Sequence, residues 1–559
     1  MKKNLFFILL SFFSLSIISQ PASVQWAYGY GDALASPFYI QSVITDASGN
    51  VYSTGYFTGN CDFDSGPATF TMQGGALYNG FVFKTDPNGN FLWAKQIGYT
   101  SIVTPNLLSL DNSGDLIVGG AFQNSVDFDP GPVSYSLTSF GSSDIFFLKL
   151  SPAGNFINVT QIGGTGADSP YSLSVDPSGN IYYSSSFSNT VDFDPGAGTF
   201  TLTSIGSNDI AITKLNSSWS FVWSKQFGGP GIDILRNTVL HISGDIYTGL
   251  QFSGPADFDP GPGTYILNAS GPYDVAILKL DNNGNLVYVR SISSGTDVQM
   301  AKITVDAPGN VYATGNVLDT VDFDPSLSTY TIGTIGSNDA FVWKLDVSGN
   351  FSFAKHFGWA NGCGIALDAA NNIYVAGNFM TTCDIDPGPG TYSLTPYGNW
   401  DAYLLKLNNS GSFLWAGQIG GIDYETMIGI NILPSGDMFC VGSYSGTCDM
   451  DPTAGSYTIT STDDQQYLAK YSITSIGITE HYGDIGHIVF PNPVSNILTV
   501  QFSTATDKTV IELYNTLGQI LITEKIDAPV HRMDLGNFSQ GVYYLKINGS
   551  SSSVKIIKN

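Results

Sequence analysis

The chain has 559 residues, with 43% hydrophobic residues to bury and only 12% charged ones. Its 21 Lys and Arg face 46 Asp and Glu, a formal net charge of -25 that repels phosphate backbones and argues against nucleic-acid binding. Short alternating apolar runs broken by Gly, Asn and Pro replace any sustained helical period, which excludes an all-helical protein and a doubly wound nucleotide-binding fold.

Residues 1–19 open with Lys2 and Lys3, continue as LFFILLSFFSLSII and end at Ser19 beside Gln20. A charged start, an apolar middle and a small-residue exit predict a signal peptide. The apolar run is short for a membrane span, and no Cys stands at the exit to carry a lipid. The mature chain is therefore expected to have no transmembrane segment.

The body is an internal repeat. Asp-x-Asp pairs recur at Asp62/Asp64, Asp127/Asp129, Asp192/Asp194, Asp257/Asp259, Asp322/Asp324, Asp384/Asp386 and Asp449/Asp451, with successive steps of 65, 65, 65, 65, 62 and 65. Each pair follows a strand such as NVYATGNV. It precedes a GTYTLTSIG-like stretch, an apolar strand such as DAFVWKLD, a turn such as DVSGN and a strand such as FLWAKQIG. Each unit reads as four main strands with a long connection between the second and third. D-x-x-G-N turns at Asp86, Asp176, Asp281, Asp306 and Asp346 suit tight hairpins. A four-stranded meander cannot bury both faces alone, so neighbours must stack, and seven units fit a closed seven-bladed β-propeller.

Closure follows from the last strand. At 31 residues beyond the first Asp stand Trp93, Asn158, Trp223, Tyr288, Phe353 and Trp415, but the seventh slot is Glu480, outside any such strand. The missing strand occurs instead at 24–31, as VQWAYGYG, and is expected to complete the last blade and protect its edge. The propeller then spans 24–471, with a linker at 472–484. The units resemble the bacterial β-propeller repeat class of secreted proteins, a resemblance that implies fold more than activity.

Residues 485–559 differ from the repeats. Short alternating strands between Asn, Gly and Pro turns suggest a small, Ig-like β-sandwich. Pro491, Asn492 and Pro493, the strand-turn LYNTLGQ containing Gly518, the run from Gly541 through Tyr543, and the closing Lys555 to Lys558 occur in order. Together they closely resemble the type A C-terminal sorting domain of type IX secretion in Bacteroidota. The resemblance implies engagement by the type IX machinery and export to the cell surface or medium. The fold class expected overall is all-β: a seven-bladed propeller followed by this small sandwich.

The fourteen repeated aspartates admit two readings. Two carboxylates spaced i, i+2 offer hard oxygen ligands to calcium, with Asp144, Asp209, Asp274, Asp339 and Asp401 as third ligands 17 residues beyond the first Asp. Asn79 and Gln466 fill that slot in the other two units. Against this, Lys84, Lys149, Lys214, Lys279, Lys344 and Lys406 recur at +22, inside apolar strands. A half-buried ammonium needs a carboxylate, so the simpler account pairs each Lys with one repeated Asp while the other caps the turn.

Residues that depart from the repeat are the candidates for chemistry. Glu425 is the only Glu of the propeller; Arg236, His241 and Arg290 belong to the fourth unit, and His356, Trp359 and Asn361 cluster in HFGWANGCG. A Glu425–His356 acid/base pair is conceivable, but no nucleophile elbow, zinc-binding helix or phosphate loop occurs. Cys61, Cys383 and Cys448 occupy a small apolar slot before Asp-x-Asp; Cys440 with Cys448, or Cys363 with Cys383, are candidate disulfides. The expectation is a monomeric, non-enzymatic, secreted or surface propeller with no cofactor beyond candidate calcium, binding an extracellular protein or glycan. The alternatives are an extracellular polysaccharide hydrolase or lyase using Glu425, His356 or Arg290, and a calcium-stabilised structural surface protein.

Overall fold

Burial follows strand position within each unit. In the first, the third strand Asn79–Thr85 is buried along its whole length, whereas the fourth, Phe91–Ile97, is mostly half-buried, with Leu92 exposed and Ala94 and Ile97 buried. A continuous apolar run suits a strand covered on both faces, and partial exposure suits an edge. Asp86 closes the hairpin between them: its Oδ1 accepts from the amides of Asn88 at 2.8 Å and Asn90 at 2.9 Å, and Gly89 turns the chain at φ 84°.

The computed structural model describes residues 22–31, 37–293, 295, 298–334, 336, 338–433, 435–473, 487–490, 494, 496–502, 509–515, 519–526, 530–539, 541–547 and 554–558. No described segment is helical, so no helix is long and apolar enough to cross a membrane. The chain divides into two compact units, Met1–Ile473 and Thr474–Asn559.

The first unit is a β-propeller built from antiparallel four-stranded sheets. Sheet 1 runs from Phe38–Thr45 through Val51–Phe57 and Asn79–Thr85 to Phe91–Ile97. Sheets 2 to 6 repeat that order, beginning with Val103–Leu110, Ser169–Val175, Asp233–Leu240, Val298–Val305 and Ala360–Leu367. Sheet 7 takes Glu425–Ile432, Asp437–Tyr444 and Gln465–Ser472 from the end of the unit and Ser23–Tyr30 from its beginning. Every first strand carries a bulge at one register position, after Ile40, Pro105, Pro170, Leu235, Met300, Gly362 and Met427. These bulges re-aim the innermost side chains.

The core is distributed as one apolar cluster per junction between neighbouring sheets. Sheets 1 and 2 share the cluster around Tyr52, Val118 and Phe146, and sheets 6 and 7 that around Leu404, Trp415 and Met438. The same packing joins sheet 7 to sheet 1: Trp26, Tyr30, Phe439 and Leu468 bury against Ile40, Phe57 and Phe81. The ring is therefore closed by the pairing of Ser23–Tyr30 with Gln465–Ser472 and by this packing. Two hydrogen bonds to the Pro87 carbonyl reinforce it, from Trp26 Nε1 at 3.1 Å and Lys470 Nζ at 3.4 Å.

The second unit has a three-stranded sheet (His487–Phe490, Ile497–Phe502, Val530–Asp534) and a four-stranded one (Thr509–Tyr514, Ile520–Ile526, Gly541–Ile547, Val554–Lys558). Leu498, Val500, Ile511, Leu513, Met533, Leu545 and Ile556 form their common core, the arrangement of a small sandwich.

Candidate functional site

The repeated Asp-x-Asp pairs build turns. The first Asp of each pair accepts two backbone amides on Oδ1, as Asp127 does from Asp129 at 3.2 Å and Tyr135 at 2.8 Å. The same double bond recurs at Asp62, Asp192, Asp257, Asp322, Asp384 and Asp449. The second Asp accepts an amide two residues on. Asp64 takes it from Gly66, Asp129 from Gly131, Asp194 from Gly196 and Asp259 from Gly261. Asp324 takes it from Ser326, Asp386 from Gly388 and Asp451 from Thr453.

These turns differ from the calcium geometry read from sequence. Among the described residues, no group of three or more His, Cys, Asp or Glu is placed to hold a metal. The pairs Asp62/Asp64, Asp127/Asp129, Asp192/Asp194, Asp257/Asp259, Asp322/Asp324, Asp384/Asp386 and Asp449/Asp451 are therefore not joined by the third carboxylate expected at +17. The physical reason is that Asp144, Asp209 and Asp401 turn into the junctions between sheets, where Asp144 and Asp401 accept from Phe140 and Tyr397 amides.

The lysines correct the pairing read from sequence. Lys84 meets Asp46, Lys149 meets Asp111 and Asp115, Lys279 meets Asp245 and Lys406 meets Asp368, at 2.6–3.4 Å. These aspartates lie in the turn between the first and second strands, and none belongs to an Asp-x-Asp pair. The reason is strand geometry. The +17 position starts the third strand beside the end of the second, and a Lys five residues later lies roughly 17 Å along it, at the opposite end of the blade. There the ammonium also sits over a second-strand tyrosine, 4.5 Å from the ring of Tyr52 in sheet 1 and 4.9 Å from that of Tyr374 in sheet 6.

The +17 aspartates are buried beside the inter-sheet junctions, where three of them face a second acid: Asp144 with Asp168, Asp209 with Asp233, and Asp401 with Glu425. Gly228 shows how close one pair is. A side chain there would meet Asp233 Oδ2 at 2.6 Å and Asp209 Oδ1 at 3.2 Å. Asp144 Oδ1, Asp209 Oδ1, Asp233 Oδ1, Asp401 Oδ1 and Glu425 Oε1 are buried without hydrogen-bond partners. Burial, helped by the facing carboxylate, pushes Asp168, Asp233 and Glu425 up to about 7.

The departures from the repeat do not converge. His356 Nδ1 lies 3.3 Å from Asp339 Oδ2 in sheet 5, and Glu425 Oε2 accepts from the Gly421 amide at 2.7 Å beside sheet 7. Arg290 in sheet 4 donates to the Gly349 carbonyl at 2.9 Å and stacks on Tyr288; Arg236 donates to Gln251. His241 reaches the Asp306 carbonyl at 3.1 Å. Trp359 is half-exposed with φ 62°, its amide 3.3 Å from Asp339 Oδ1. The candidate disulfides Cys440–Cys448 and Cys363–Cys383 are not formed, and Cys61 Sγ lies 3.7 Å from the Thr58 carbonyl. Burial holds the thiols of Cys363 and Cys383 up, to about 11 and about 12.

A surface cavity of about 750 Å³ lies where sheet 7 meets sheet 1. Its lining includes Tyr39 from sheet 1, Asp423 and Tyr424 at the start of sheet 7, Asp463 and Asp464 before its third strand, and Gln466. Tyr424 is 52% exposed and offers an open ring face. Tyr39 is held upright by Tyr56 and Tyr78, with ring centroids 5.1 and 6.5 Å away. Gln466 replaces the aspartate of five other sheets at this position, and its Oε1 is buried without a partner. Gly446, at φ 66°, leaves the space that Asp423 fills: a Cβ there would lie 2.2 Å from Asp423 Oδ2. Of these residues the sequence pattern marks only Gln466, as an exception to the +17 aspartates. The usable signal is the break in the circular repeat at that slot.

Of the sorting-signal residues, Gly541 and Tyr543 lie on the strand Gly541–Ile547, with Tyr543 Oη donating to the Ser539 carbonyl at 2.8 Å. Lys555 and Lys558 lie on the closing strand, and Lys558 is buried. Pro491, Asn492, Pro493 and Gly518 lie outside the described residues, as do 1–19 and the linker beyond Ile473.

Known proteins agree with this division. Residues 488–559 match the secretion system C-terminal sorting domain, and residues 157–186 match the beta-propeller repeat. The chain is a β-propeller protein carrying a type IX sorting domain, which directs it to the cell surface or beyond and implies engagement by that secretion machinery. Among curated relatives, an uncharacterised WD repeat-containing protein of Acanthamoeba polyphaga mimivirus is 22% identical over 72% of this chain and 35% of its own length. The regulatory protein FlaEY of Caulobacter vibrioides is 24% identical over 40% of this chain and 23% of its own. The chain thus spans about a third and about a quarter of these relatives. Similar solved structures include the Dos1 propeller (9% identity, 81% of this chain and 96% of that one, TM-score 0.37). PorZ, a surface component of the type IX secretion system of Porphyromonas gingivalis, gives 10% identity over 96% of this chain and 99% of its own, with a TM-score of 0.18.

Proposed function

We propose that this surface propeller is a non-enzymatic binding protein whose ligand is a glycan held in the cleft between sheets 7 and 1. The observation that carries the reading is the cleft's composition. Tyr39 and Tyr424 supply aromatic faces for the C–H faces of sugar rings, and Asp423, Asp463 and Asp464 supply acceptors for sugar hydroxyls. Its volume of about 750 Å³ suits a short oligosaccharide segment. Glu425, His356 and Arg290, the best acid/base candidates, are engaged by separate partners in different sheets, which supports binding over hydrolysis.

The test is titration calorimetry of the full chain against soluble bacterial and plant polysaccharides, beside Tyr424→Ala and Asp463→Asn. Each substitution is expected to weaken binding about tenfold or more, as loss of an aromatic or charged anchor does. Unchanged affinity in both variants would move the ligand elsewhere. Release of reducing ends by the native chain would overturn the non-enzymatic reading.

A further inference from the structure

The axial channel contradicts the charge of the rest of the molecule. Its walls are the seven first strands, and within those strands acids occur only at the two starting positions Asp233 and Glu425, both turned into the junction pairs. The charged residues further along are cations, Arg236 and Lys302. In a chain of net charge -25, this is a local reversal of sign.

Lys302 is the unusual one. It follows the bulge in the strand Val298–Val305, at a register where the other six sheets have Ser, Leu, Asn or Gly. Lys84, Lys149, Lys279, Lys406 and Lys470 each have an aspartate within 3.4 Å. Lys302 is half-buried; among the described residues it has no ion pair, and desolvation lowers its pKa with no charged neighbour to oppose the shift. A desolvated ammonium without a counter-charge is costly.

Its surroundings explain what the charge is for. Lys302 borders a cavity of about 270 Å³ whose lining includes Gln41 and Ser42 of sheet 1, Asn431 of sheet 7 and apolar residues of both sheets, Phe439 among them. Sheet 5 therefore sends its lysine across the channel towards sheets 7 and 1. Sheets 6 and 7 carry glycine, Gly364 and Gly429, at the register that Lys302 occupies in sheet 5, and this keeps the path open. Amide side chains beside an ammonium, with one aromatic wall, can receive a small planar anion: the two carboxylate oxygens take the N–H donors and the apolar tail faces Phe439.

We propose that the axial channel contains a binding site for a small carboxylate, with Lys302 as its charge anchor and Gln41 and Asn431 as orienting donors. A bound carboxylate supplies the counter-charge that the fold withholds, so it binds the folded chain and stabilises it.

The experiment is thermal unfolding of the full chain in sodium acetate, sodium chloride or sodium phosphate at matched ionic strength, for native protein, Lys302→Met and Lys302→Arg. Acetate at roughly 100 mM is expected to raise the native Tm by roughly 1–2 °C over chloride. The arginine variant should keep that increment. The methionine variant should lose it while unfolding no earlier than native protein without acetate. An equal acetate increment in the methionine variant overturns the proposal, as does equality of chloride or phosphate with acetate in the native chain. Should the methionine variant not fold, saturation-transfer NMR on the native chain decides: transfer to the acetate methyl group supports the site, and its absence overturns it.

Discussion

Six sheets of the propeller are each built from one continuous stretch of chain, and sheet 7 is not: its fourth strand, Ser23–Tyr30, comes from the other end of the unit. At every junction the fourth strand of one sheet is followed in the chain by the first strand of the next, and at three of them an acid pair fills the corner: Asp144 with Asp168, Asp209 with Asp233, Asp401 with Glu425. At the seam between sheets 7 and 1, the corresponding positions are Gln466 and Phe38, which make no acid pair. Both the acidic–aromatic cleft and the Lys302 cavity have walls from sheets 7 and 1. Repetition makes the ring stable, and its interruption leaves room for ligands. Sheet 7 is instead closed by the pairing of Ser23–Tyr30 with Gln465–Ser472, two strands with no turn between them, and by the packing of Trp26, Tyr30, Phe439 and Leu468.

That dependence gives the largest expected effect. Trp26 is 5% exposed, packs edge-on against Phe439 with centroids 6.1 Å apart, and bonds Pro87 across the seam. Trp26→Ala should cost about 3–5 kcal/mol, the usual range for a buried Trp. The matching substitution in a continuous sheet, Trp223→Ala, removes a half-buried ring from a strand that a turn joins to its neighbour. Chemical denaturation of both variants should show the seam variant unfolding first, with limited proteolysis cutting near Ser23–Tyr30. Equal losses would mean that the turn joining the third and fourth strands of a sheet contributes nothing to holding the fourth strand in place.

How much of this is legible in the sequence depends on whether a feature repeats. The strand pattern, the sheets and the terminal sandwich rest on spacing and alternation. The pattern puts a strand at 24–31 against the last unit, and the structure pairs Ser23–Tyr30 with Gln465–Ser472. For the Lys–Asp pairing, sequence distance misleads because it ignores direction: Lys84 is nearer to Asp62 than to Asp46 in the sequence, yet the antiparallel strands carry it to the Asp46 end. The junction acids are only half visible. Asp144, Asp209 and Asp401 recur at +17, but Asp168, Asp233 and Glu425 occupy a slot that holds Val103 or Val298 elsewhere, and only the fold brings the two series together. The cleft and the Lys302 cavity are invisible because each is assembled from sheets remote in sequence.

The acid pairs sharpen the comparison through pH, with a smaller effect. Asp168, Asp233 and Glu425 stand at about 7 in the folded chain against 3.8, 3.8 and 4.5 without the fold. A group whose folded pKa is raised contributes stability in full below its unfolded pKa and loses it as pH rises through the folded value. Every tenfold change in proton affinity is worth about 1.4 kcal/mol, so the propeller should be more stable at pH 5 than at pH 8. The triple variant Asp168→Asn, Asp233→Asn, Glu425→Gln should flatten the dependence between about pH 4 and pH 7 and raise stability at pH 8. Tm measured across that range checks it, and an unchanged slope in the variant would place the proton uptake elsewhere. The seam has no such pair, so Gln466→Ala should leave the slope as it is.

The smallest expected effect concerns the aspartates that dominate the sequence. Each Asp-x-Asp pair spends one oxygen of each carboxylate on backbone amides within its own turn, at 2.7–3.2 Å for Asp127 and Asp129. Such turns need no metal, and we propose that millimolar chelator leaves the Tm of the full chain unchanged. Asp127→Ala should still cost about 1–2 kcal/mol, because two backbone amides lose their acceptor at once. The two measurements separate the readings. A calcium site predicts that chelator and Asp127→Ala destabilise together and that the variant no longer responds to chelator. A turn predicts that the substitution alone has an effect, of similar size at Asp62 beside the seam and at Asp192 away from it.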